Sequence, residues 1–476
     1  MCRVSAAVVA AASCTKDPIP SVQEPAEIQV TPANPVLQVG DTLTLTATVR
    51  DARGNVLPKP NVAWTSPDPA VVNLDSAGLI YGRIAGSASI IASAGAARAQ
   101  VSIRVEARNA GWRTIVVPCG VWEDNATYCW QWLAFPGPIV APVKVSSAPV
   151  FRLVRSGLGH RCAITTDGRA YCWGSNVYGQ LGDGTIADRS TPVEVAGGLR
   201  FDSIAIGALH TCGVTSNHVA FCWGDGRMGQ LGVGPAPDLC VGTPCSRAPT
   251  PVSGNHLYRA IATGGYDRIG PGSEGRGLTC ALDDSGKAFC WGTNYFGSVG
   301  DGTRVQRDIP TAVSGGRTYV AIAAGTDHAC GLSTDATLFC WGLAFSGRLG
   351  LTIPDSAQYV CVSADIIYRC ASVPLPVAST ERWRAVVAGS SHTCALNSFG
   401  AAFCWGDNDF GQVGNGVNPN PNSPDVVQLP ARVVGGRTFL EVSSGLSATC
   451  GLASDGAAFC WGNGSSTPQR VPDPVR

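Results

Sequence analysis

Residues 160–185 read HRCAITTDGRAYCWGSNVYGQLGDGT. Nine residues separate Cys162 from Cys172, and Trp173 follows at once. The same arrangement recurs for Cys119 with Cys129, Cys212 with Cys222, Cys280 with Cys290, Cys330 with Cys340, Cys394 with Cys404 and Cys450 with Cys460, and tryptophan follows every second cysteine. A fixed period of this length marks stacked supersecondary units. Within one copy, apolar residues alternate on both sides of Asp167 and Gly168, a pattern of two antiparallel strands joined by a tight turn. The sixth residue after the first cysteine is Asn125, Gly168, His218, Gly286, Ala336, Gly400 or Gly456. Most of these tolerate a left-handed backbone, as a type I turn closed by a left-handed residue requires. Ala336 suits that turn least, so another loop type is expected in the fifth hairpin. In this register the cysteines of a pair are directly opposed, with α-carbons about 4.5 to 5.5 Å apart, within disulfide reach.

Of 20 cysteines, Cys2 and Cys14 stand apart. The others fall into the seven register pairs plus Cys240 with Cys245 and Cys361 with Cys370. Zinc sites favour two to four residues between paired cysteines, and the one pair so spaced, Cys240 with Cys245, has no second such pair to complete a cluster. An even count at fixed spacing therefore predicts nine disulfides, formed in an oxidising compartment. The N-terminus agrees with that compartment. Residues 1–14, MCRVSAAVVAAASC, set one arginine before small apolar residues and end in small-small-Cys, an export signal. It resembles a bacterial lipoprotein signal, which implies lipidation at Cys14 and a Pro-containing tether over residues 15–25. The expected membrane attachment is this anchor alone. No other stretch approaches the ~18 apolar residues of a spanning helix.

After each hairpin comes a loop rich in Gly, Asn and Asp, then a Pro-Val strand such as residues 191–195. A fourth strand, such as residues 201–206, precedes the next His-x-Cys. The run G-x-x-H-x-C-x-L through CWG-x-N-x-x-GQLGDGT resembles the repeat of the regulator of chromosome condensation family. That resemblance implies a seven-bladed β-propeller over residues 108–476. The last unit ends soon after Trp461, and residues 112–117 have the character of its missing strand. They are expected to close the ring by joining the C-terminal blade. Residues 26–106 form a separate unit in which strand and turn signals alternate. Gly40-Asp41-Thr42, Trp64 and the Asp75 to Gly78 turn resemble a bacterial immunoglobulin-like domain of group 2, which implies a spacer. The whole chain is thus expected to be all-β, an Ig-like sandwich followed by a propeller.

Lysine plus arginine equals aspartate plus glutamate at 34 each among 476 residues, so no basic surplus drives nucleic-acid binding. No GxSxG, HExxH or Walker loop is present, and neither a catalytic set nor a cofactor or metal is expected. His160, His210, His328 and His392 share one repeat position and read as structural. The seven tryptophans read as packing between blades. Residues 407–411 resemble a calcium loop only superficially and align with the turn at 175–179.

The units differ most in their insertions. Residues 235–249, 351–373 and 417–425 enlarge connections between the second and third strands, and residues 265–277 one between the fourth and the next first strand. With strands alternating in direction, all four insertions fall on one edge of the ring. Tyr359, Ile366, Ile367, Tyr368 and Arg369, with Tyr266, Asp267 and Arg268, are interface-type residues there. They form the expected binding face, for an extracellular or envelope protein or glycan. The function expected is that of an exported, noncatalytic binding or adhesion protein in the cell envelope or secreted. Alternatives are an inhibitor of an extracellular enzyme and a regulator resembling a guanine-nucleotide exchange factor, both activities known in the family.

Overall fold

The computed structural model describes residues 24–474 apart from 40, 59, 107–110, 132–138, 146–148, 267–275, 355, 364–365 and 418–425. The expected export signal with Cys2 and Cys14, and Asp267 and Arg268 of the expected binding face, lie outside the described residues. Strands dominate throughout. The helical turns among the described residues are two short 3-10 turns, Phe345–Gly347 and Ala357–Tyr359.

The N-terminal unit is a sandwich. Glu27–Thr31 pairs with Thr46–Arg50, and Ala97–Glu106 lies between Val36–Gln38 and Gly86–Ala94. Alternation along Gly86–Ala94 and Ala97–Glu106 sends Ile90, Val101, Ile103 and Val105 into the core with Val49, Val72 and Ile80. Trp64 packs against this core, as a structural residue does.

Seven sheets follow, all antiparallel, five of four consecutive strands and two of five. The second is representative: Phe151–Ser156, His160–Thr165, Ala170–Gly174 and Arg189–Glu194. We call these the inner, first cysteine, second cysteine and outer strands. The inner strand is the one that precedes the cysteine pair. The sequence frame, which begins each unit at its cysteines, is therefore one strand out of phase. The correction is largest at the ring's seam. Trp112–Val116 does not join the last blade; it pairs with Cys119–Trp122 as the inner strand of the first. The last blade is complete in itself, from Phe439–Ser444 to Ser465–Arg470. A two-residue connection between Trp112–Val116 and Cys119–Trp122 makes their hairpin a short closure with little entropy to lose, whereas a swapped strand would have to pair across the seam. The first and seventh blades meet instead by packing. Trp112, Ile115 and Trp130 form one cluster with Leu452 and Val471. The Trp112 and Ile115 amides donate to the Gly456 carbonyl at 3.0 Å and to Glu441 Oε1 at 2.5 Å.

Each register pair of cysteines sits directly opposed across its hairpin and is bonded. Cys119 is joined to Cys129, Cys162 to Cys172, Cys212 to Cys222 and Cys280 to Cys290. Cys330 is joined to Cys340, Cys394 to Cys404 and Cys450 to Cys460. Their α-carbons are 4.0 to 4.1 Å apart, which corrects the wider spacing expected from register alone. These positions carry no ladder hydrogen bond between them, so a covalent bridge can draw the two strands together there. In the insertions, Cys240 bonds to Cys245 and Cys361 to Cys370. Cys129 is half-buried, whereas Cys222, Cys290, Cys340, Cys404 and Cys460 are buried within the blades.

All seven turns carry a left-handed residue at the sixth position, including Ala336 at φ 64°. The expectation of a different fifth loop is therefore wrong. The Ser333 and Ala336 amides make the same two turn bonds as Thr165 and Gly168, and those bonds hold an alanine in a conformation it disfavours.

The sandwich touches the sixth blade. Tyr81, only 2% exposed, accepts a hydrogen bond from Arg384 at 3.1 Å and lies beneath its guanidinium. Asn73 donates to the Ser398 carbonyl at 3.0 Å.

Candidate functional site

Four of the seven junctions between blades follow one rule. His160 Nε2 meets Thr211 Oγ1 of the next blade at 2.8 Å, and His210 meets Thr279, His328 meets Thr393 and His392 meets Thr449 at 2.8 to 2.9 Å. Each threonine hydroxyl donates onward to a loop carbonyl of the histidine's own blade: Gln180, Gln230, Arg348 or Gln412. Trp223, Trp291 and Trp405 donate their indole N–H groups to the first three of those carbonyls. The four histidines, with Trp223, Trp291 and Trp405, are thus latches between blades. Burial without a counter-charge holds His160, His210 and His392 down to about 3 and keeps them neutral.

Three junctions lack the latch, and each lacks both halves. The corresponding positions hold Leu278 and Ala329, Ala448 and Pro118, and Val117 and Arg161. Arg161 is the charged residue among them. It reaches a cavity of about 320 Å³ on the ring axis, walled by inner-strand ends and the turns after them, among them Ser156, Gly207, Thr263, Gly325, Gly389 and Ser444. No hydrogen-bond partner for Arg161 Nε, Thr263 Oγ1 or Ser444 Oγ is present among the described residues, although all three atoms are buried. Desolvation lowers the Arg161 pKa. Farther along the inner strands, burial pushes the Glu441 carboxyl up and the Arg155 guanidinium down, each eased by the other's charge.

The same edge of the ring carries the insertions. The segment at 235–249 adds Asp238–Cys240 outside Thr243–Pro251, making a fifth strand in the third blade. The segment at 351–373 does likewise in the fifth, where Val360–Ser363 pairs with Ile366–Pro376. Both extensions are held by their own disulfides. Ile366 and Ile367 are exposed, as are Val362, Leu239 and Val241. Tyr368 is half-buried, its ring edge-on between Phe296 and Phe345, and Tyr359 is half-buried in a 3-10 turn. Arg369 Nη1 donates to the Ser356 carbonyl, bracing the extension from within. Tyr266 ends the long inner strand of the fourth blade. Arg276, at the other foot of that hairpin, pairs with buried Asp327 of the fifth blade at 2.7 Å. The loop at 407–411 forms a turn: Asn408 accepts the Val413 amide and Asp407 the Asp409 amide.

The repeat described as "Regulator of chromosome condensation (RCC1) repeat" matches residues 167–214, 285–332, 335–396 and 400–452, and a second description of it matches 151–180, 201–230, 319–348 and 383–412. This chain belongs to the regulator of chromosome condensation repeat family. A bacterial Ig-like domain of group 2 matches residues 26–105. Among curated relatives of this propeller, the ultraviolet-B receptor UVR8 of Arabidopsis thaliana is 29% identical over 190 residues, covering 40% of each chain. The human E3 ubiquitin-protein ligase HERC2 is 28% identical over 196 residues, covering 40% of this chain but 4% of that protein. The matched part thus spans less than half of either relative. Two solved structures share the fold. Prp20p of Saccharomyces cerevisiae aligns with a TM-score of 0.56 at 21% identity, covering 71% of this chain and 80% of that one. Human WBSCR16 aligns at 0.58 and 19%, covering 74% and 95%.

Sequence reasoning found the insertion-bearing edge of this propeller and missed the cavity. Its walls are short runs from seven distant segments, which no local motif marks. One signal was available. The residue between His and Cys is Thr in four of the seven units, and Arg161 alone is charged.

Proposed function

We propose that this protein is an extracytoplasmic, noncatalytic binding protein that engages a partner protein through the insertion-bearing edge of its propeller. The observation that carries this reading is that the insertions at 235–249 and 351–373 extend the third and fifth blades at one edge of the ring, each braced by an extra disulfide. Such bracing lowers the entropy lost when a loop is held in a binding shape. Exposed Ile366, Ile367, Val362, Leu239 and Val241 supply apolar area of the kind that fills pockets on protein partners. The bacterial Ig-like domain and the nine cysteine bridges support a location outside the cytoplasm. Prp20p, whose structure was described with its binding to Gsp1p and histones, supports a family habit of acting by binding.

The test is capture by the oxidised full chain from envelope and culture fractions, comparing wild type with Ile366→Asp/Ile367→Asp and with Leu257→Asp on the opposite edge. The reading expects one captured protein to be lost with the first variant and kept with the second. Equal capture by both variants, or loss with Leu257→Asp alone, would overturn it.

A further inference from the structure

The first blade is cut short at the edge where the axial cavity opens. Six residues lie between Arg155 and the cysteine that it opposes, Cys162, and six lie between the equivalent residues of the third, fifth, sixth and seventh blades. The fourth blade has seventeen. In the first blade Val116 opposes Cys119, and only Val117 and Pro118 lie between them. Its hairpin therefore stops two positions short on each strand. The first blade packs between the seventh and the second, so the short hairpin leaves a notch in the collar of the ring. Val117 and Pro118 floor it, Leu158 and Arg161 bound it on the second blade, and Leu446 and Ala448 bound it on the seventh. All six line the cavity of about 320 Å³.

Arg161 is the one charged residue among those that line the cavity. Its Nε is buried, whereas Nη1 and Nη2 keep access to the cavity, and its guanidinium has no hydrogen-bond partner among the described residues. Desolvation lowers its pKa with no counter-charge to offset the effect. The hydroxyls of the wall are turned away. Ser156, Thr326 and Ser390 donate to the Gly157, Gly265 and Leu446 carbonyls, and Ser447 donates to Asn463 Oδ1. The Thr263 and Ser444 oxygens are buried beneath the surface. Apart from backbone and the Asn463 side chain, an occupant therefore meets one guanidinium edge and aliphatic surface from Val117, Leu158, Ile206 and Leu446. Leu158 and Leu446 are 39% and 40% exposed at the lips, apolar area that a hydrocarbon body would take from water. A guanidinium matches one carboxylate in a bidentate pair, while a phosphate dianion would leave surplus negative charge in a partly desolvated site. The volume, at the small end of ligand-pocket sizes, limits the body to a few carbons.

We propose that the notch and cavity together bind a short aliphatic monocarboxylate, its carboxylate on Nη1 and Nη2 of Arg161 and its hydrocarbon body against Leu158, Leu446, Ile206 and Val117. The site is independent of the partner-binding edge proposed above, although both open on the same side of the ring. The notch also accounts for Arg161 itself. With its hairpin cut short, the first blade supplies no histidine for a latch threonine, and the position carries an arginine instead.

Isothermal titration of the oxidised full chain with 4-methylpentanoate, 4-methylpentanamide and inorganic phosphate tests the assignment. One-to-one binding of the acid at least tenfold tighter than the amide or phosphate is expected. Arg161→Gln should weaken it by tenfold or more, and Leu158→Ser/Leu446→Ser, at exposed positions, should weaken it several-fold. Thermal melts of the unliganded variants identify those that fold; should Arg161→Gln fail to fold, the leucine variant decides. N-acetylglycylleucine distinguishes a free acid from the carboxylate of a chain end, and binding of either acid with the same Arg161 dependence supports the assignment. It is overturned by binding of neither acid, by unaltered binding in folded Arg161→Gln, by unaltered binding in the leucine variant if that is the deciding one, or by the amide or phosphate binding as tightly. Ile366→Asp/Ile367→Asp should leave the affinity for 4-methylpentanoate unchanged, so the two proposals fail separately.

Discussion

His160 of the second blade and Thr211 of the third hold their side chains 2.8 Å apart, and the two residue types are present together or absent together at every junction of the ring. Thr211→Val removes the histidine's partner inside a dry interface, so a loss of about 1 to 3 kcal/mol is expected. The pair Leu278 and Ala329 shows an apolar junction in the same ring. His160→Leu/Thr211→Ala should accordingly cost less than the sum of its single changes. Urea unfolding of the four proteins of this cycle checks it, and strict additivity would show that the two side chains act independently.

The latches make stability depend on pH. An unfolded histidine titrates near 6.5, whereas His160, His210 and His392 are held to about 3 and His328 well below its ordinary value by burial. Between those limits the unfolded chain binds more protons than the folded one, so their contribution is complete above about pH 6.5 and falls as pH drops toward 3. Each histidine adds a slope of roughly 1.4 kcal/mol per pH unit within that window. Urea midpoints at pH 7.5, 6 and 5 should decline, and less steeply in His160→Leu/Thr211→Ala. Equal slopes in the two proteins would show that the histidines do not carry the effect.

The motif glycine three residues before each latch histidine is fixed by space rather than by backbone conformation. A β-carbon at Gly389 would overlap His392 Cε1 and lie 2.7 Å from the Gly445 carbonyl oxygen. Gly389→Ala should cost about 1 to 3 kcal/mol through overpacking. The equivalent change at Gly198, where an added carbon meets nothing within 4 Å but φ is 62°, carries backbone strain alone and should cost less. Thermal melts rank the two.

Each hairpin bridge closes about eleven residues and contributes roughly 2 to 3 kcal/mol in the chain-entropy picture. Seven of them in one propeller should make the fold strongly redox-dependent. Full reduction is expected to lower the melting temperature by tens of degrees, and replacing Cys394 and Cys404 together by serine to lower it by several degrees. A melt unchanged by complete reduction would show that β pairing alone holds the blades.

The propeller was legible because its period, turns and cysteine register are local and repeated seven times. The blade frame was not. A circular array repeats identically whichever strand begins it, so periodicity could not tell whether residues 112–116 open the first blade or close the last. The short Val117-Pro118 connection holds that information, in a unit whose other features are irregular. Ala336 was misjudged for a related reason, since intrinsic preference favours another turn while the hairpin's two flanking bonds enforce the common one. At the candidate sites, Ile366 and Ile367 were visible as apolar residues in a polar-flanked insertion. Tyr368 looked equally suited to contact, but its ring is spent inside the extension against Phe296 and Phe345. Arg161 escaped notice because its meaning depends on Val117, a residue 44 positions earlier that reaches the same junction only once the ring is formed.

Tyr81 and Asn73 meet the ring at Arg384, at the start of an inner strand, and at Ser398, in a hairpin turn. Both places belong to the edge opposite the insertions. The Ig-like domain therefore sits against the edge of the ring opposite the extensions. On a surface that held the chain by its N-terminal domain, the ring would stand with its extensions and axial opening directed outward, accessible to an approaching molecule without passage beneath the attachment.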